Sequence, residues 1–98
     1  MQKGLKMTTL ERAIEVYGAD MQLNVAIEEF AELTKEICKN KRGEDNLDYI
    51  IEKVADCYIM LKQIELIFDI DHNDVSEVMK NKVLRLQGRL KKERKDDD

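Results

Sequence analysis

No proline occurs among the 98 residues of this chain, and only four residues are glycine. Proline and glycine break helices and build tight turns, so a β-sandwich or barrel with many turns ordinarily contains more of both. Apolar residues recur here at intervals of three and four, the spacing that places side chains on one face of an α-helix. We therefore predict an all-α protein, which at this length forms a single domain over residues 1–98.

Polar and glycine-containing segments divide the apolar pattern into four helices. Thr8 and Glu11 form a capping-box pattern that predicts the start of the first helix, and Gly18 is suited to end it. The second helix is expected to be capped by Asp20. It should end within residues 39–43, where lysine, arginine and glycine favour a helix C-terminus.

A third helix is predicted from about Leu47 to Phe68, after a cap at Asp45 or Asn46. A polar break at 69–74 precedes the fourth helix, and two residues in this break can cap it: Asn73 and Asp74. Beyond residue 90 we expect the chain to fray into a disordered tail at 91–98, which leaves a core of about residues 8–90.

The middle of the third helix is apolar on almost every side. Between Val54 and Leu61 the only charged residue is Asp56. A helix that is apolar on most faces is buried on most faces, and three other helices of this length leave part of it uncovered. We therefore predict a four-helix, antiparallel, bundle-like domain that forms a homodimer or homotetramer, with the third helix near an interface.

The net charge of −4 disfavours a protein that binds the phosphate backbone of nucleic acid. The two cysteines, Cys38 and Cys57, lack the spacing of a zinc site and are expected to be buried, reduced thiols. No apolar run is long enough for a signal peptide or a membrane span. We expect a cytoplasmic protein with neither a nucleic-acid nor a membrane partner.

Acidic residues form one row on each of the two central helices. The second helix carries Glu29, Glu32 and Glu36 on one face, and the third carries Asp48, Glu52 and Asp56 at intervals of four. Like charges stacked in this way repel one another, so a cation between the rows would stabilise them.

Two helices joined by a short polar connection pack antiparallel, which brings Glu29 and Glu32 near the level of Glu52 and Asp56. Carboxylates alone, without histidine, are the ligands of a hard ion such as Mg²⁺ or Mn²⁺. The single histidine, His72, is expected to be solvated in a loop. The alternative is that the glutamates form an ordinary solvated face, partly neutralised by two lysines of the same helix: Lys35 and Lys39.

Two short motifs in these rows point to a family. The stretch AIEEFAEL at 26–33 contains an E-x-x-E motif made by Glu29 and Glu32. The stretch EKVADC at 52–57 places Asp56 where an E-x-x-D motif ends. With the segment KVLRL near the C-terminus, this order of motifs resembles that of the MazG-like all-α NTP pyrophosphatases, which are relatives of the dimeric dUTPases.

The resemblance covers about residues 15–90 and implies hydrolysis of a nucleoside triphosphate to NMP or dNMP and pyrophosphate, with Mg²⁺ or Mn²⁺. It implies a catalytic base at Glu29 or Glu32 and metal ligands at Glu29, Glu32 and Asp56. We add Glu52 as a fourth candidate ligand, since it is the acid nearest to the first position of the second motif. Candidate phosphate contacts are the basic residues Lys39, Lys41, Arg42, Lys82 and Arg85. The alternative for these is helix-terminal charge or a solvated helix face.

The chain departs from the family pattern at Lys53, where E-x-x-D has its glutamate. Glu52, one residue earlier, lies on a similar face and can replace that ligand after a modest rotation. Otherwise the Lys53 ammonium occupies the position of one metal. The alternative function is therefore a non-catalytic helical oligomer that acts as an interaction or regulatory module on the same fold.

Overall fold

The computed structural model describes residues 7–97, with side chains up to residue 93. It contains four helices, and there is no strand within this range. The helices are α1 (Thr9–Tyr17), α2 (Ala19–Lys41), α3 (Leu47–Ile67) and α4 (His72–Asp97). The all-α prediction and the number of helices are confirmed. No helix in the described range is both long enough and apolar enough to cross a membrane.

The start of α1 is the predicted capping box. The Glu11 backbone N–H donates to the Thr8 hydroxyl over 3.2 Å, and the Thr8 backbone N–H donates to the Glu11 carboxylate over 2.8 Å. Gly18 ends α1 with a φ of 92° and is also the N-cap of α2. The predicted cap at Asp20 is therefore wrong, because α2 begins directly after the glycine and Asp20 lies in its first turn.

Helices α2 and α3 pack antiparallel, and α1 contacts both. The Cys57 thiol donates to the Glu29 backbone carbonyl over 3.6 Å, which joins the middle of α2 to the middle of α3. Nearer the start of α2, the Gln63 amide donates to the Gln22 side-chain oxygen over 3.3 Å. The buried apolar side chains of the described range are few: Ala26, Cys57 and Met60.

The connection between α2 and α3 is held by Asn46, which is only 5% exposed. Its side-chain N–H₂ donates to the Glu36 backbone carbonyl over 2.9 Å and to the Glu36 carboxylate over 2.8 Å. Its side-chain oxygen accepts from Asn40 over 3.2 Å. Asn46 occupies the predicted N-cap position of α3, but its side chain bonds α2 instead of capping α3. These hydrogen bonds join the N-cap residue of α3 to the last turns of α2.

The start of α4 differs from the sequence prediction. The Asp71 carboxylate accepts from the Asn73 backbone N–H over 2.9 Å, so the cap precedes both residues that were expected to cap. His72 is the first residue of α4, and its Nδ1 lies 2.9 Å from the Glu65 carboxylate. The expected loop position of His72 is wrong, because α4 already begins at this residue. Its side chain is solvated as expected, at 63% exposed, although the short turn after α3 brings the ring back to Glu65.

Helix α4 continues to Asp97, beyond residue 90, where the sequence suggested fraying. Lysine, arginine and glutamate have high helix propensity, and residues 91–95 consist entirely of these three types. Between residues 72 and 93 every α4 side chain except Val75 is exposed. The fourth helix therefore adds little to the core formed by the first three.

We expect Asn46→Ala to lower the free energy of unfolding by about 1–3 kcal/mol, because it removes a buried side chain together with its hydrogen bonds to partly buried groups of Glu36. Chemical denaturation at fixed protein concentration measures the change. Asn24, exposed on α2, provides the control, and Asn24→Ala should change stability by no more than about 0.5 kcal/mol. Equal effects of the two substitutions would contradict the role of Asn46.

The same hydrogen bond predicts a pH dependence. The Asn46 side chain holds the pKa of the Glu36 carboxyl below its ordinary value, with smaller help from Lys39 and Lys35 and against the effect of burial. A lowered carboxyl pKa adds stability above the ordinary glutamate range, and this stability is lost as the pH falls through the lowered value. The destabilisation caused by Asn46→Ala should therefore shrink in acid, and a difference that stays constant from neutral pH to pH 3 would contradict this assignment.

Candidate functional site

Three carboxylates from two helices converge on one ammonium group. The Lys53 Nζ lies 3.1 Å from a carboxylate oxygen of Glu32 and 3.5 Å from one of Glu29. It also lies 3.5 Å from a carboxylate oxygen of Asp56. We call these four residues the Lys53 cluster. A single positive charge is thus shared by three negative ones.

The helix geometry of α2 and α3 explains this convergence. Glu29 and Glu32 are three residues apart on α2, and Lys53 and Asp56 are three apart on α3, so each pair lies on one helix face. The antiparallel packing then sets the two pairs opposite each other. The hydrogen bond from the Cys57 thiol to the Glu29 backbone carbonyl, on the side facing the core, fixes which residues of α2 and α3 lie side by side.

The electrostatics of the cluster keep Lys53 charged. Its side chain is 19% exposed, whereas that of Glu32 is 53% exposed. The hydrogen bond to Glu32 is the largest influence that raises the pKa of Lys53 above its ordinary value, and the charges of Glu29, Glu32 and Asp56 add to it while burial opposes it. Lys53 therefore remains an ammonium group throughout the neutral and mildly alkaline range.

Cys57 lies directly behind the cluster. Burial raises the pKa of its thiol, and the negative charges of Glu29 and Asp56 act in the same direction. Cys57 is buried as expected and remains a neutral thiol at neutral pH, so it is a core residue and not a nucleophile, for which thiolate is needed. The expectation of a buried thiol is wrong for Cys38, which is exposed near the end of α2.

The donor chemistry of Glu29, Glu32 and Asp56 fits a hard cation such as Mg²⁺ or Mn²⁺. The Lys53 ammonium, however, lies between these oxygens. Within the described residues, no group of three or more acidic, histidine or cysteine side chains is arranged to hold a metal as it stands. A divalent ion would therefore need the Lys53 side chain to move away.

The remaining residues proposed from the sequence lie outside the cluster. Glu52 is exposed and has no ion-pair partner among the described residues. Lys39 pairs with Glu36 over 3.5 Å, and Arg42 is exposed at the end of α2. The two α4 candidates, Lys82 and Arg85, are exposed on a helix that packs little against the others, and Lys41 is also exposed. The structure thus brings Glu29, Glu32 and Asp56 together and leaves the basic candidates apart from them.

Two polar contacts between α2 and α3 are not part of the sequence prediction. Asn46 bonds Glu36, which the sequence pattern places in the acidic row. Gln22 and Gln63 form a buried amide pair, in which the Gln63 side-chain oxygen has no partner in the described range. The sequence contains one signal for this pair. Each glutamine lies at a position where the apolar stripe of its helix would continue, and a polar side chain there needs a partner.

We expect Lys53→Met to lower the melting temperature in metal-free buffer, because three carboxylates lose their shared counter-charge. Added Mg²⁺ should then raise the melting temperature of this variant more than that of the wild type, since ligands that bind only the native state stabilise it. Differential scanning fluorimetry with and without Mg²⁺ measures both effects. The exposed Lys35 on α2 gives a matched control, and a metal response of Lys35→Met equal to that of Lys53→Met would contradict the prediction.

Comparison of the chain with protein-family models, with curated proteins and with solved structures finds no match. Function is therefore inferred from the residues of this chain and their geometry.

Proposed function

We propose that this protein is a Mg²⁺- or Mn²⁺-dependent nucleotide pyrophosphohydrolase that converts a nucleoside triphosphate to NMP or dNMP and pyrophosphate. The observation that carries the proposal is the convergence of Glu29, Glu32 and Asp56 on one cation. The resemblance of the two acidic motifs to the MazG-like NTP pyrophosphatases supports the same activity.

The three carboxylates supply oxygen donors from two rigid helices, which favours a fixed cation position over a mobile one. Such a position suits a triphosphate substrate, whose negative charge needs cations to be neutralised. When bound, the divalent ion would offset this charge and polarise the attacking water.

The chain's own residues would divide the remaining work. Glu32 is the most exposed carboxylate of the cluster, so a water molecule can approach it, and either Glu32 or Glu29 would accept the proton of that water. Water would then add to the α-phosphorus as the bond to the bridging oxygen breaks and pyrophosphate leaves. Lys53, on a long flexible stem, would have to move its ammonium from the cluster towards solvent or substrate.

We propose that the active form is a homodimer or homotetramer. The support for this is the large number of exposed apolar side chains on α3 and α4. Basic residues that lie far from the cluster within one chain, such as Lys82 and Arg85, would reach a substrate only in such an assembly.

The second candidate function is a non-catalytic helical oligomer that serves as an interaction or regulatory module. One observation favours it specifically: the Lys53 ammonium already neutralises the carboxylates that a metal would use. In this case the Lys53 cluster is a stabilising ion network.

The test is a screen of the common NTPs and dNTPs with Mg²⁺ and Mn²⁺, in which release of pyrophosphate is measured separately from release of phosphate. We expect pyrophosphate from at least one nucleotide. Asp56→Asn and Glu32→Gln should each reduce the rate by a factor on the order of 10–100 or more, judging from the effect of changes around metal sites. Glu28→Gln, one position from the cluster and exposed, is the matched control and should retain activity.

Substitutions at positions 52 and 53 distinguish the two possible consequences of having lysine at position 53. If Glu52 serves as a ligand, Glu52→Gln removes activity and Lys53→Ala preserves it. If Lys53 blocks a metal, the wild type is slow and Lys53→Glu gains both metal affinity and turnover. A wild type and a Lys53→Glu variant that both leave every nucleotide intact would contradict the enzymatic proposal and favour the interaction module.

A further inference from the structure

A single chain leaves far more surface exposed than a compact protein of its mass. The accessible surface is 8440 Å², against about 5,800 Å² expected for a folded monomer of 11.5 kDa. The radius of gyration is 18.4 Å, against about 13 Å for a compact chain of this length. The excess surface exceeds the roughly 1,200–2,000 Å² that a standard protein interface buries.

Part of this excess surface is a stripe of regularly spaced apolar residues along α3. Its five residues are all exposed: Leu47, Ile51, Val54, Tyr58 and Leu61. They are spaced by four, three, four and three residues, which is the repeat that packs one helix against another in a coiled coil. We call these residues the α3 stripe. Lys53 and Asp56 lie on the other side of the helix, so a partner on the α3 stripe would leave the Lys53 cluster open.

The C-terminal half of the α3 stripe forms one wall of a groove. This groove has a volume of about 510 Å³ and lies between α3 and the first turns of α4. Tyr58 and Leu61 line it from α3, and Val75 and Met79 line it from α4. The stripe and the groove are therefore one continuous apolar surface, and its occupant must fit both.

We propose that this surface is covered by a second copy of the same chain, with the two α3 helices packed antiparallel about a two-fold axis near residue 56. In this register Ile51 of one copy packs against Leu61 of the other, and Val54 packs against Tyr58. The N-terminal half of each stripe then enters the groove of the other copy. The proposal specifies the interface of the oligomer proposed above and is independent of the enzymatic activity.

Charge complementarity selects the antiparallel register. Asp48 and Lys62 are exposed residues that flank the α3 stripe on the same side, seven residues to either side of Ala55. The antiparallel register places Asp48 of each copy beside Lys62 of the other, which forms two opposite-charge pairs, with the small Ala55 side chains between them. In a parallel pair the same flank of each helix lies on opposite sides of the interface, so Asp48 and Lys62 of the two copies would form no pair. A two-fold interface requires such self-complementarity.

Sedimentation equilibrium of the full chain, without nucleotide or metal, tests this register. The wild type is expected to be a dimer or a larger even-numbered oligomer at micromolar concentration. Asp48→Lys and Lys62→Asp should each raise the dissociation constant of the α3–α3 contact, on the order of ten-fold, because each converts two attractive pairs into two repulsive ones. The double variant restores both pairs with reversed sign and should return the constant to within a few-fold of the wild type.

Two controls lie on α2, away from the stripe. Glu28→Lys makes the same charge change as Asp48→Lys and should leave the dissociation constant unchanged. Ile51→Asp should separate the copies, whereas Ile27→Asp, at a residue that is 65% exposed, should not. Circular dichroism checks that each variant remains helical.

Three outcomes would overturn the proposal. The first is a wild type that sediments as an 11.5 kDa monomer at micromolar concentration, which would leave the stripe to a different partner. The second is a double variant that associates no better than the single ones, which would exclude this register. The third is dissociation by Ile27→Asp but not by Ile51→Asp, which would place the interface on α2. Since nucleotide hydrolysis enters none of these measurements, an inactive protein with the predicted association would contradict only the enzymatic proposal.

Discussion

The antiparallel packing of α2 against α3 is the contact on which the other features depend. It sets Glu29 and Glu32 opposite Asp56, so that two separate acidic rows become one cluster. Asn46 closes the connecting end of this pair with hydrogen bonds to the backbone and side chain of Glu36. Without this packing, each carboxylate would lie on a solvated helix face, where its repulsion from its neighbours is weak and no shared cation is needed.

Lys53 meets the electrostatic requirement that this packing creates. Three carboxylates held together in a partly buried position repel one another unless a cation lies between them. The ammonium supplies that cation from within the chain, so the fold does not depend on a bound ion. The same group occupies the position that a divalent ion would take. Lys53 therefore stabilises the metal-free protein and at the same time lowers its affinity for metal. Which of the two dominates is the physical question that separates an enzyme from an interaction module on this fold.

Helix α3 presents two surfaces to possible partners. One side faces α1 and α2: Cys57 and Met60 are buried there, and Lys53 and Asp56 lie on the same side, where they contact α2 at its partly exposed edge. The other is the α3 stripe, which is exposed within the part of the chain that the structure describes. This division explains why the helix is apolar on most faces although the core of the single chain is small. It also separates the surface proposed for association from the carboxylates proposed for chemistry, so the two properties can be altered independently.

The sequence determined the four helices, the capping box at α1 and the level at which Glu29 and Glu32 meet Asp56, because these follow from local periodicity and a short connection. It did not determine which of the adjacent residues 52 and 53 faces α2. They are about 100° apart, and the rotation of α3 is set by the burial of Cys57 and the residues around it. The partner of Asn46 likewise lies ten residues away on another helix. Only the tertiary structure decided these contacts, because each depends on how two helices turn relative to one another, which no local pattern encodes.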